Sequence, residues 1–197
     1  MDCRDNQSPQ GQVARILVDF LEVAITSIVF HKGVYPSGAF ERRRYMNLVV
    51  HKAKHPELED YIHSAVNGIF PFLEKGFVDR VAVIFFDTEN IPLERYNFKL
   101  QLNQSYGSLL EEADFEFSLR SFLIKLLCPR PLPGWEITAY FRSEAQIGTS
   151  IDVNLWIPTD TKQWQQASLI TPIKSMSSDP LGLQLYLEHP TLSEQKG

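Results

Sequence analysis

The sequence predicts an α+β fold, with helices packed on a mainly antiparallel sheet. Three observations carry this. Residues 13–30 are apolar on all but one narrow stripe, which marks a helix covered by other elements. A β-branched and aromatic run at 81–86 is followed, after a turn, by alternation at 95–102, which suits a fully buried strand beside a half-buried one. The elements come in the order helix, short strand, helix, hairpin, helix, strand, as expected for helices laid on one sheet.

The first helix shows its polar stripe as Gln12, Arg15, Asp19, Glu22 and Thr26, at steps of three and four. Val13, Ile16, Leu17, Phe20, Leu21, Ile25, Ile28 and Val29 make up the rest, and Gly33 followed by Tyr35-Pro36 stops it. The next stretch is mixed, with Leu48, Val49 and Val50 as a short strand candidate. Pro56 opens a second helix at its first position, where a missing N–H costs nothing. Its apolar face is Leu58, Tyr61, Ile62, Ala65, Ile69, Phe72 and Leu73, with Gly76 after the end.

Asp87 to Pro92 reads as the turn of the hairpin. A third helix is expected over about 108–127, with Leu110, Ala113, Phe117, Ile124 and Leu127 on one side, ended by Pro129, Pro131 and Pro133. Trp135, Ile137, Ala139 and Phe141 then alternate with polar residues as a further strand. From residue 146 on the character changes to strand-like pieces separated by prolines. Ile151, Val153, Leu155 and Ile157 alternate, and so do Leu181, Leu183, Leu185 and Leu187. These pieces are too short for a core of their own, so they are expected to lie across the first part like a strap.

The bulk properties exclude several classes. The chain has 197 residues, enough for one domain with a real core. A net charge of -5 argues against charge-driven nucleic-acid binding, so no direct contact with nucleic acid is expected. Two cysteines, Cys3 and Cys128, support neither a disulfide framework nor a zinc site. No basic segment followed by an apolar one opens the chain, so no secretory signal is expected. Arg15, Asp19 and Glu22 would be costly in lipid, so no membrane span is expected.

No catalytic chemistry is legible. There is no Gly-x-Ser-x-Gly, no Walker loop and no Gly-x-Gly-x-x-Gly, and Cys128 has no histidine near it in sequence. His51, His55 and His63 lie across a strand-to-helix break at Pro56 and share no helical face, so they read as loop histidines plus one on a polar helix side, not as a metal site. Arg42, Arg43 and Arg44, with Lys52 and Lys54, could contact phosphate or an acidic peptide. A solvated edge strand protected by charge is the favoured reading. No catalytic residue, cofactor or metal is assigned. Trp156, Gln184 and Tyr186 fall opposite their strands' apolar faces: Trp156 suits either a cap on the core or an anchor for a bound segment, and Gln184 with Tyr186 either a solvated face or a protein contact.

Several fragments, in order, resemble the HORMA-domain family, and within it the accessory subunits of the translesion DNA polymerase zeta. They are Phe20-Leu21-Glu22-Val23-Ala24, Val34-Tyr35-Pro36 with Gly38 and Phe40, and His55-Pro56-Glu57-Leu58 leading to Tyr61-Ile62. Leu119-Arg120 with Phe122, Pro172-Ile173-Lys174 with Met176, and Ser178-Asp179 followed by Gln184-Leu185-Tyr186 complete the set. The resemblance covers about residues 11–189. It implies one HORMA domain there, with a core at 11–146, a "safety belt" at 147–189, and flexible ends at 1–10 and 190–197.

The resemblance also implies a function. A non-catalytic adaptor would trap a peptide of the polymerase zeta catalytic subunit under the belt, by β-augmentation of a sheet edge. Its belt surface would recruit a second translesion polymerase, the deoxycytidyl transferase, through that enzyme's C-terminal domain. Tyr35, Tyr61 and Trp156 match peptide-binding positions. Ile170, Gln184 and Tyr186 match the second-partner surface, with Ile170 where the family has leucine. Arg120 matches a self-association position, for a homodimer or a HORMA–HORMA dimer. Apart from Trp156, residues 147–169 depart from the family pattern, and Trp164 has no family role. An ATP-driven remodeller is a further implied partner, and the implied location is the nucleus, with the cytoplasm as a second compartment. The alternative within the fold is a checkpoint or meiotic protein that binds a kinetochore or chromosome-axis peptide. A small hydrolase is the alternative from another class.

Overall fold

The computed structural model describes residues 8–105, 112–126, 134–142 and 168–190. Helix α1, Pro9–His31, starts earlier than expected, inside the stretch assigned to a flexible end. The Ser8 hydroxyl accepts the Gly11 N–H at 3.1 Å and Pro9 sits in the first turn, which together satisfy and preset the helix start. Lys32 caps the other end, and Gly33 takes the left-handed φ of 64° that the exit needs. Of the predicted polar stripe, Thr26 is buried: its hydroxyl turns back to the Glu22 carbonyl at 2.7 Å, which removes the need for water.

Residues 37–39 form one turn of 3-10 helix, and then β1, Phe40–Tyr45, pairs with β2, Leu48–Ala53, as an antiparallel hairpin. The strand candidate at 48–50 lies in β2, and Arg42, Arg43 and Arg44, read as part of a solvated edge strand, lie in β1. The turn residues Met46 and Asn47 both have positive φ, at 46° and 57°, as a two-residue hairpin turn of matching twist requires. Asparagine favours that conformation and methionine does not, so the sequence carries only half of a turn signal. The hairpin packs Phe40, Val50 and Ala53 inward and leaves Arg42, Arg43 and Arg44 exposed.

The second helix is two helices: α2, Pro56–Gly68, and α3, Phe70–Glu74. The apolar face does continue to Leu73, as predicted. Pro71 lacks an N–H, and its ring would clash with the carbonyl four residues back, so the chain breaks at Ile69.

Strand β3, Val78–Phe86, and strand β4, Pro92–Leu102, form the predicted hairpin. Asp87 closes its turn by accepting the N–H groups of Glu89 and Ile91. Helix α4, Glu112–Lys125, buries Phe115, Leu119, Phe122 and Leu123, and Leu126 just after it is buried too. This overturns the predicted face, because Phe117 is 72% exposed and Ile124 is 50% exposed. Both stripes fit helical spacing, and the sequence does not rank them. Phe122 wins because Phe20 of α1 meets its ring edge-on, 6.3 Å away.

Strand β5, Gly134–Phe141, pairs with β3, and β6, Ser168–Ser178, pairs with β7, Leu181–Pro190. The larger sheet runs β5-β3-β4-β7-β6, antiparallel throughout. One face carries Val81, Val83, Phe85, Tyr96, Phe98, Leu100, Leu183 and Leu185, all buried. Phe20 meets Phe98 edge-on at 6.3 Å, so α1 links this face to α4, which also packs on β6. Lys32 is buried at the end of α1, where it pairs with Glu94 and lies over the rings of Phe85 and Tyr96. The predicted strand at 151–157, Cys3, Cys128 and Trp164 lie outside the described residues. Among the described residues no helix is long and apolar enough to cross a membrane.

Candidate functional site

Two surfaces flank the sheet. The first is the outer edge of β5. The Ile137 N–H donates to the Tyr61 hydroxyl at 3.2 Å, so it points away from β3. Backbone groups alternate along an antiparallel strand, so those of Trp135, Ile137 and Ala139 face the open side and those of Glu136, Thr138 and Tyr140 face β3. Arg142 continues the second series, giving its N–H to the Phe77 carbonyl at 2.7 Å. Among the described residues no strand pairs with the open side.

Tyr35 and Tyr61 converge beside this edge. Trp135 joins them: its Nε1–H lies 3.4 Å from the Tyr35 hydroxyl oxygen, and its ring meets the Tyr61 ring edge-on at 5.3 Å. Tyr61 is 43% exposed, while its hydroxyl end lies against β5. Burial raises the Tyr61 phenol above its ordinary value, Glu136 and Tyr35 add to this, and the Ile137 N–H opposes it. Sequence reasoning treated Trp135 only as a strand residue. Its one signal is an aromatic just after the prolines at 129, 131 and 133. Trp156, the third predicted peptide contact, lies outside the described residues.

The second surface is the outer face of β6 and β7. Leu181, Leu183 and Leu185 point into the core and Leu187 packs against it, so Gln184 and Tyr186 point outward. Ser175 pairs with Gln184, Pro172 with Tyr186 and Ile170 with Glu188. A bulge between Pro172 and Lys174 keeps these pairs on one face. Ile170, Gln184 and Tyr186 therefore share a face, with Ile170 60% exposed. Arg95 of β4 and Glu188 of β7 form a buried ion pair of 3.3 Å on this side, which ties the hairpin to the core.

Arg120 sits on α4 three residues after Phe117 and four before Ile124, between the two exposed apolar side chains. Its Nε is buried and lacks a hydrogen-bond partner among the described residues.

His51, His55 and His63 do not gather, and no group of three metal-ligating side chains occurs among the described residues. His63 bonds Glu22 at 3.0 Å, and His55 is exposed at the start of α2. His51, expected in a loop, lies in β2 and stacks on Phe30 with ring centres 3.5 Å apart. Burial lowers its pKa, and His31 and Arg42 lower it further.

The HORMA domain model matches residues 14–121. The chain is 61% identical, over 96% of its own length and 91% of the relative's, to the "DNA polymerase zeta processivity subunit" of Arabidopsis thaliana. It is 34% identical to the human "Mitotic spindle assembly checkpoint protein MAD2B", over 90% of this chain and 92% of the relative. Among solved structures, a chain of the "Mitotic Checkpoint Complex" superposes with a TM-score of 0.75 at 14% identity, covering 91% of this chain and 99% of that one. HTP-2 of C. elegans, bound to the HIM-3 closure motif, superposes with a TM-score of 0.74 at 8% identity, covering 92% of each chain. The structural likenesses speak for the fold, and the sequence relatives for the family.

Proposed function

The chain belongs to the HORMA-domain family, and from that premise we propose that it is a non-catalytic adaptor subunit of a translesion DNA polymerase. In this role it captures an extended peptide of the catalytic subunit on the open edge of β5. The observation that carries the reading is the sheet order. The C-terminal hairpin is docked on β4, at the far side of the sheet, which leaves the β5 edge unpaired among the described residues beside Tyr35, Tyr61 and Trp135. Edge backbone groups would supply affinity, and the aromatic side chains are the residue types that dominate interface energetics. Residues 147–189 would act as the safety belt, with Trp156 against the peptide, so that tight binding comes from slow release.

The face of Ile170, Gln184 and Tyr186 would recruit the C-terminal domain of the deoxycytidyl transferase polymerase. Arg120 would support self-association, an ATP-driven remodeller would open the belt, and the nucleus is the compartment in which this complex works. A second reading, a checkpoint or meiotic adaptor, draws on the name of the human relative. A pull-down from nuclear extract separates the two. Recovery of translesion polymerase subunits supports the first, and recovery of a kinetochore or chromosome-axis protein in their place supports the second. Recovery of neither sinks both.

A further inference from the structure

The Tyr186 hydroxyl is held from two strands away. Arg80 of β3 reaches across β4 and donates from Nη1 to the Tyr186 hydroxyl oxygen at 3.3 Å. The same nitrogen lies 3.5 Å from Asn97 Oδ1. On its other side the guanidinium lies over the Tyr140 ring of β5, with Cζ 4.1 Å from the ring centre. The strand register explains the meeting. Arg80 pairs with Tyr140 and with Lys99, and Asn97 pairs with Tyr186, so all of these side chains share the outer face. Asn97 is fully buried and anchored by its own bond to the Arg95 carbonyl at 3.2 Å.

This placement is expensive. Arg80 Nε and the Tyr140 hydroxyl are buried without a hydrogen-bond partner among the described residues. Each such group typically costs about 1–3 kcal/mol. Stability alone does not account for a guanidinium kept there, and an unsatisfied buried group asks for another explanation. We propose that Arg80 is a positioning residue for the second-partner surface: clamped on Tyr140, it fixes Tyr186 in the orientation that the second protein reads. The proposal rests on the assignment of Ile170, Gln184 and Tyr186 to that partner. An aromatic ring already held in its bound pose loses little freedom on docking, so the gain is one of preorganisation.

The test titrates the transferase C-terminal domain against protein preloaded with catalytic-subunit peptide. The variants are Arg80→Met, Arg80→Lys, Tyr186→Phe, the double Arg80→Met/Tyr186→Phe, and Gln184→Ala/Tyr186→Ala. Arg80→Met and Tyr186→Phe should each weaken binding severalfold, up to about tenfold, as when a side chain must be ordered on docking. The double Arg80→Met/Tyr186→Phe should be no weaker than the worse single, because both remove the same bond. Arg80→Lys keeps a donor and should recover part of the loss, and peptide capture should stay at the wild-type level throughout. Wild-type binding by Arg80→Met, losses that multiply in that double variant, or a parallel fall in peptide capture would each overturn the proposal. If Gln184→Ala/Tyr186→Ala loses binding while Arg80→Met and Tyr186→Phe do not, only the role of Arg80 falls. If the wild type fails to bind, or Gln184→Ala/Tyr186→Ala binds normally, the second-partner assignment falls and takes this proposal with it.

Discussion

The hydroxyl oxygen of Tyr61 accepts the backbone N–H of Ile137 across 3.2 Å, so a helix side chain occupies one donor of a sheet edge that is open among the described residues. A strand added at that point must displace the hydroxyl or stop short of it. Tyr61 is thus both a neighbour of the edge and a marker of where an added strand would register.

Truncating the aromatic contacts should weaken peptide capture. Tyr61→Ala and Trp156→Ala are each expected to cost about 2 kcal/mol, roughly thirtyfold in affinity, as hot-spot aromatics do. Calorimetry on folded variants measures this directly. Wild-type affinity in both would remove these residues from the site.

The two surfaces should be separable. Gln184→Ala with Tyr186→Ala is expected to abolish binding of the transferase domain while leaving peptide capture nearly unchanged, because both side chains point away from the core. Measuring both affinities on one preparation decides it. Joint loss would indicate damage to the hairpin as a whole.

Helix α4 should show two unlike faces. Phe122→Ala is expected to cost about 3–5 kcal/mol in urea unfolding, since it empties a fully buried site. Phe117→Ala should stay within about 0.5 kcal/mol, as exposed substitutions do. In sedimentation, Phe117→Ala and Arg120→Ala should both shift the peptide-bound protein toward monomer. A wild type that is monomeric at about ten micromolar and above would dismiss the interface.

The Arg95–Glu188 pair should hold the C-terminal hairpin in register. Removing Glu188 takes one charge-assisted hydrogen bond from the buried Arg95 guanidinium, so Glu188→Ala is expected to destabilise the protein by about 2 kcal/mol. Hydrogen exchange over 181–190 should rise first. Arg95→Met with Glu188→Leu should regain most of the loss, because well-packed apolar side chains avoid the desolvation. If Glu188→Ala unfolds at the wild-type urea concentration, the pair is not a tether.

His31 and His51 should make stability depend on pH. Burial lowers both pKa values, with His31 and Arg42 acting further on His51. A lowered folded pKa means that the unfolded chain binds more protons in the window, so stability rises with pH there. The contribution is complete above the ordinary value of 6.5 and is lost as pH falls through the depressed folded values. Melting between neutral and mildly acidic pH should show this decline, and the double variant His31→Gln/His51→Gln should flatten it. An equal slope in that variant would move the effect to other groups.

Local pattern determined much of this protein by itself. The alternation of Leu181, Leu183 and Leu185 decides which side of the last strand is buried, because the pleat has period two, so the outward direction of Gln184 and Tyr186 was legible. The central helix was legible for the same kind of reason, and the ordered family fragments pointed to the family. Tertiary structure alone decided the rest. Two stripes on α4 fit one helical period, and it is packing against Phe20 of α1 and against β6 that buries Phe122 and leaves Phe117 exposed. Trp135 meets Tyr35 across 100 positions of chain, a contact no local spacing announces. Above all, a strand's alternation says which of its faces is buried and nothing about which edge it pairs with. That β7 lies against β4, leaving the β5 edge without a partner among the described residues, is a matter of long-range backbone pairing, and it is this pairing that turns a predicted strap and a predicted strand into two binding surfaces.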